Sequence, residues 1–384
     1  MKANARPALP PLSAGCTRAD FLRRSAQGLG ALALLSTGPL KSFAEPAPAQ
    51  PVTPGPSPVF DLREFVHWIT MEFEPSVRLP GGAGQYARAP GETEPELYGV
   101  ADMACILHTL GELHPDEKER NEWAAAFQLF QGPDTGWLIE KSPTHAPLHN
   151  TAFALAAMEL LDLAPQHPVR MGPAYSDCRR FLQTLNWRTA VYPESHKGAG
   201  IGSIYALVPS LGTPEWFAEY FAVCDSLFDS HNGLMGVDKP PGGDSDQIGG
   251  TFHYSFLYQY FNRHMPYPEP RLDTVLRLQQ ADGYWMPDNH LWMTLDAIYL
   301  MTRTLRYCPH RFADVRASVR RIMGIMMRDV YSPEGRKTAL SPKLAVHSVT
   351  AAVSIAAEAQ MFLGAGEVIT ERPLKLVLDR RPFI

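Results

Sequence analysis

Histidine, aspartate, asparagine, tyrosine and tryptophan recur at one kind of place in this chain, the start of a long apolar run. They are Asp102; His149 with Asn150; Ser203 and Tyr205; His253 with Tyr254; Trp292 and Asp296; and His347 with Ser348. Trp137 and Trp285 come shortly before two such runs, and Asp288, Asn289 and His290 lie just before Trp292. Two chemistries use these residue types. Imidazole and phenol groups can take a proton from carbon beside a carboxylate and return one to a leaving oxygen. That set would be His149, Asn150, His253 and Tyr254. Two carboxyl groups can instead flank a bond and hydrolyse it, and Asp102 with Asp296 is the best pair for that. A carboxylate inside an apolar run has little structural reason to be there. Each residue also has a plainer reading. An inner histidine can be a satisfied core residue, and Asn150 and Asp102 could cap or back-bond helix ends.

Metal and cofactor motifs are absent from the sequence, so neither is expected. There is no HExxH, CxxC or EF-hand loop, and His145 and His149, four apart, are separated by Pro147. With Asp102 or His253 they could form a site only through folding. "PPGGDSDQIGG" lacks the lysine of a phosphate loop and reads as a mobile lid.

The elements that must position these groups repeat. Runs rich in small and apolar residues begin near Tyr98, Leu148, Gly200, Gly250, Leu291 and His347, at intervals of roughly 40 to 56 residues. They are apolar nearly all round, as helices buried on most faces are. The segments between them show one-sided helical spacing. Cys178, Phe181, Leu182 and Leu185 fit i, i+3, i+4, i+7, and Phe312, Val315, Val319, Ile322, Met323 and Met326 form one stripe. The spacing therefore predicts outer helices with one solvated face paired with inner helices. Inner-to-outer links are short, whereas the outer-to-inner links 72–97, 131–147, 186–199, 229–249 and 329–345 are longer and gather at one end. Gly136, Gly233, Gly283 and Gly335 would end an outer helix or supply a turn with positive φ. The inner-helix N-termini then face one mouth, where their partial positive charge favours an anionic ligand.

Six outer–inner hairpins of this kind resemble the (α/α)6 toroid, an all-α architecture over residues 60–384. Polysaccharide lyases, several glycoside hydrolases and relatives of the terpenoid cyclases share it. The resemblance implies carbohydrate chemistry at the mouth. A uronate lyase would use Asn and His near the sugar carboxylate and Tyr or His as base and acid, and "DNHLW" is similar to the Asn-Asn-His stretch of alginate-lyase-like toroids, with Asp288 in place of the first Asn. A glycoside hydrolase would use Asp102 and Asp296. Trp137, Trp285, Trp292, His290 and His347 would bind the saccharide, although Trp137 and Trp285 could equally plug the ring. The terpenoid branch is disfavoured. Gln280-x-x-Gly283-x-Trp285 resembles the Gln-Trp repeat cleanly only once, and the Asp-x-Asp-Asp acid motif is missing, "GDSDQ" being the nearest string.

Composition sets the setting. The chain has 384 residues, 45% of them hydrophobic, enough for one large core. Residues 1–44 carry Lys2, Arg6, Arg18, Arg23, Arg24 and Lys41 against Asp20 alone, so the remainder is more acidic than the net charge of −5. An acidic body argues against nucleic acid or an anionic membrane as partner. "TRADFLRRSAQGLGALALLSTGPL" resembles a twin-arginine export signal, with Ser42-Phe43-Ala44 as a small-x-small cleavage site. Residues 45–59 form a Pro-rich tether. A periplasmic or secreted, saccharide-binding protein follows, with no membrane contact after cleavage; a non-catalytic binding or scaffold protein is the competing class. The mature cysteines Cys105, Cys178, Cys224 and Cys308 are widely spaced, which leaves buried thiols or one disulfide open.

Overall fold

A computed structural model describes residues 59–141, 144–236, 244–286, 290–339, 345–380 and 382–383, with only the backbone at 244, 245 and 290. The segment expected to direct export, nearly all of the expected tether, Asp288 and Asn289 lie outside the described residues, as does the side chain of His290. The described chain is all-α apart from one pair of two-residue strands.

Twelve helices among the described residues carry the architecture. The outer ones are α1 (Arg63–Trp68), α3 (Glu117–Gln128), α5 (Cys178–Gln183), α7 (Pro214–Ser226), α9 (Pro268–Leu278) and α11 (Phe312–Met326). The inner ones are α2 (Leu97–Leu110), α4 (Pro147–Leu160), α6 (Val191–Leu207), α8 (Asp244–Tyr260), α10 (His290–Leu305) and α12 (Val346–Leu363). Each inner helix packs on the next in chain order, and α12 returns to α2, so the inner helices form a closed ring of neighbours. The amphipathic helices stand outside them: α3 packs on α2, α9 on α8 and α10, and α11 on α10 and α12.

Helix character follows burial. In α11 the predicted stripe Val315, Val319, Ile322, Met323 and Met326 is buried, while Phe312 at its start is largely exposed. In α12 nearly every residue from Val349 to Gln360 is buried. α12 is also long and apolar enough to cross a membrane, but 78% of it is covered by the rest of the molecule, as a core helix requires. Cys105, Cys178, Cys224 and Cys308 are buried and none of them forms a disulfide.

The two ends of the ring are stitched together. Strand β1 (Phe60–Asp61) pairs in parallel with β2 (Val368–Ile369), just after α12. Beside them, outer helices one and six each continue into a π-helical turn, Ile69–Phe73 and Met327–Tyr331. Arg336 crosses between them, ion-paired with Glu64 and stacked over Trp68.

The turn after each outer helix recurs as expected at Gly136, Gly233 and Gly283, all with positive φ. Gly335 departs from the pattern. It lies inside a short helix (Pro333–Ala339) without positive φ, because Ser332 caps that helix instead and Oγ accepts the Gly335 N–H. Two inner helices also begin earlier than expected, α6 at Val191 and α8 at Asp244. Pro193 is tolerated because it stands in the first turn of α6, where a missing N–H leaves no helical carbonyl unpaired.

Candidate functional site

The early start of α6 changes what reaches the mouth. Ser195 and His196, expected in a loop, lie inside the helix between His149 of α4 and His253 of α8. Close helix approach brings the three together. A Cβ on Gly200 would stand 2.9 Å from the Leu148 carbonyl oxygen, and one on Gly249 would stand 2.3 Å from the Tyr192 ring. Small residues at these contacts thus let α4, α6 and α8 converge at the level of their histidines.

Five imidazoles meet there. His149 stacks on His145 (ring centroids 4.6 Å) and meets His196 edge-on (4.7 Å). His196 meets His253 edge-on (4.7 Å), and His347 lies 5.6 Å from His145. One ring nitrogen from each of His149, His196 and His253 lies within 4.8 Å of the other two. Tyr98 stacks on His145 and Tyr192 packs on His196 and His253. Phe383, after β2, reaches His149 (4.9 Å) and His253 (6.0 Å) from the other side and forms the floor.

Proton counting fixes three of the rings. The Asn150 Nδ2 amide donates to Glu140 Oε1 (3.4 Å), which turns Oδ1 toward Tyr98. The Tyr98 hydroxyl has one proton and donates it to that oxygen (3.1 Å), so Nδ1–H of His149 donates to Tyr98 (2.7 Å). Ser195 likewise donates to the Tyr192 carbonyl (2.5 Å) and accepts from Nδ1–H of His253 (2.8 Å). In the third, Nδ1–H of His347 donates to the Asp102 carboxylate, 3.0 Å to Oδ2. Each of these imidazoles has Nδ1 engaged and Nε2 free as a lone pair.

Burial disfavours the charged form of four of these rings, His145, His149, His196 and His253. His149 and His253 are pushed well below the usual imidazole range, first by desolvation and then by their histidine neighbours. The same causes bring His145 down to about 4 and His196 to about 3. Tyr98 is pushed up by burial and by the nearby carboxylates of Glu140 and Asp102.

The predicted residues divide into three groups. His149, Asn150, His253, Asp102 and His347 come together, with Trp292 packed 4.2 Å from the His347 ring. Asn150 is fully buried and spends its amide on Tyr98 and Glu140, so it positions Tyr98 rather than meeting a ligand. Asp296 is fully buried on α10. Its Oδ2 has no hydrogen-bond partner among the described residues, and burial pushes its pKa well above the usual carboxylate range. With Asp102 committed to His347, these two do not form an exposed carboxylate pair.

The third group belongs to the scaffold. Tyr254 is a correction: it is fully buried against Trp187 and Tyr220, and its hydroxyl fills the space at Gly198. One residue along α8 from His253, it points toward the outer layer. The tyrosine at the mouth is Tyr98. Trp285 is also a correction, fully buried with its indole N–H donating to the Val275 carbonyl (2.7 Å). Trp137 donates to the Arg170 carbonyl (2.9 Å) and packs on Tyr175, away from the histidines.

A cleft of about 790 Å³ between hairpins five and six adjoins the mouth, with Trp292, Ser348, Tyr284 and Arg328 on its walls. Sequence reasoning missed Tyr98, His196, Ser195 and Tyr192. "YPESHKG" held the signal, a histidine four residues after a tyrosine, but it fell in the stretch 186–199 read as an outer-to-inner link. No protein-family model matches this chain, and a search of curated proteins returns no match.

Proposed function

We propose that this protein is an exported (α/α)6-toroid enzyme that cleaves a uronate-containing glycan by β-elimination. The observation that carries the reading is the Asp102–His347 pair (3.0 Å), whose imidazole is partly exposed and packed against Trp292 at the edge of an open cleft. A carboxylate on Nδ1 orients the ring, leaves Nε2 free as a base, and stabilises the imidazolium that forms. The cyclic packing of α2 to α12 supports the toroid architecture.

In this reading Nε2 of His347 removes the proton alpha to the sugar carboxylate. The C–O bond at the neighbouring carbon breaks as the double bond forms, and the imidazolium returns its proton to the leaving oxygen. Arg88, over the Tyr98 ring and ion-paired with Glu140 (3.4 Å), and the start of α12 supply positive potential for the carboxylate, whereas at the start of α2 the Glu96 carboxylate already accepts the Tyr98 N–H. Trp292 is the surface on which a sugar ring stacks. Hydrolysis by Asp102 and Asp296 has less support, since one is tied to His347 and the other is enclosed. The basic-then-apolar segment 17–40 and Ser42-Phe43-Ala44 support export.

The test is product mass spectrometry and ultraviolet absorbance on a panel of acidic and neutral oligosaccharides. Unsaturated products are expected, and His347→Gln should reduce turnover about 10²–10⁴-fold with helical circular dichroism unchanged. Products carrying an added water would replace elimination by hydrolysis. Saccharide binding without any product would leave the binding or scaffold class in its place.

A further inference from the structure

We infer that His149, His196 and His253 form a binding site for a divalent first-row transition metal of the zinc type. The inference stands apart from the glycan reading, because it rests on the three rings and their partners alone.

The geometry has the parts such a centre needs. Three ring nitrogens converge within 4.8 Å of one another from three successive inner helices. Three imidazoles on one ion would hold their nitrogens about 3.4 Å apart, given metal–nitrogen distances of about 2.0–2.1 Å. Small side-chain rotations close that difference. Two of the three rings are already aimed. Tyr98 fixes Nδ1–H of His149 and Ser195 fixes Nδ1–H of His253, so both present the Nε2 lone pair. A hydrogen bond on the far nitrogen is the outer-shell device that orients metal-ligating histidines.

The chemistry of the donor set names the ion. Three neutral nitrogens with no carboxylate among them suit zinc, cobalt, nickel or copper rather than magnesium or calcium. His149 and His253 are buried and His196 is partly exposed, so an ion held by the three rings would be covered on the side where Phe383 lies against His149 and His253 and open at His196. Three protein ligands leave a fourth position for water or substrate, which is the pattern of a catalytic rather than a structural zinc site. His145, stacked on His149, stands beside it.

The experiment uses the full chain purified without a polyhistidine tag, stripped with chelator and titrated with Zn²⁺ by calorimetry. Co²⁺ provides a parallel absorption readout. One Zn²⁺ per chain and visible d–d bands of a nitrogen-ligated Co²⁺ are expected. His196→Ala should lower Zn²⁺ affinity at least 100-fold while keeping the helical spectrum, because this ring is partly exposed at the mouth. Ser195→Ala should weaken binding about 10–100-fold by freeing the His253 ring. If the stripped protein binds neither ion, or His196→Ala binds as the wild type does, the assignment is wrong. Should His196→Ala lose its helical spectrum, Ser195→Ala decides: weakened binding supports the site, and wild-type binding overturns it.

Discussion

The two ends of the inner ring bury polar groups on opposite terms. At the far end, Arg303 in the last turn of α10 pairs with Glu358 of α12 and with Asp379 (2.8 Å) in the segment after β2. Thr302 also donates to Glu358, and the Lys375 N–H donates to the Thr109 carbonyl at the end of α2 (2.8 Å). Charge there meets opposite charge, and the segment 374–380 packs across the ring. At the mouth, five imidazoles crowd together, and only His347 and His145 have a carboxylate partner among the pairs formed there. The first arrangement fixes a structure. The second gathers imidazoles from several helices around a shared space, an arrangement suited to a site. Phe383 links the two, since it follows the segment 374–380 in sequence and floors the mouth.

That contrast can be broken first at the far end. Arg303→Met should destabilise the protein by about 3–5 kcal/mol in urea unfolding, because Glu358 is left buried without its cation. An effect below about 1 kcal/mol would mean the ion pair contributes little. Acid should act at the mouth. His145 and His196 titrate near 4 and 3 in the fold against 6.5 when free. The unfolded chain therefore binds more protons below pH 6.5, so the stability these rings confer is present above 6.5 and is lost as pH falls toward 3–4. The expected loss between pH 7 and pH 4 is on the order of 3 kcal/mol for each of the two rings, read by melting of the metal-free protein. Stability that is flat over that range would show that the rings are solvated. The smallest change in stability is expected at the rim. Trp292→Ala should cost about 1 kcal/mol of stability while raising KM for an oligosaccharide roughly tenfold. Unchanged KM would remove Trp292 from the binding surface.

Reading the sequence located α2, α4, α10 and α12 to within a residue of where they begin. Their apolar periodicity is strong and their starts carry polar or proline residues. It placed α6 and α8 too late, since the glycines at 200 and 250 looked like helix starts and are instead contact points in mid-helix. That error hid His196, the residue that joins His149 to His253. Tyr254 and Trp285 were misread for a related reason. One residue along a helix turns a side chain by about 100°, so a neighbour of a mouth residue can face the outer layer.

The sequence by itself determined the all-α class, the alternation of outer and inner helices, and the residue types available at the mouth. Those follow from local periodicity, which each segment carries alone. Only the tertiary structure decided which of those residues meet. The partners of His149 lie on α2, on the link just before α4 and on α6, and those of His347 on α2 and α10. Such contacts span up to 245 residues of chain, and they form only when the ring closes and the glycines let its helices approach.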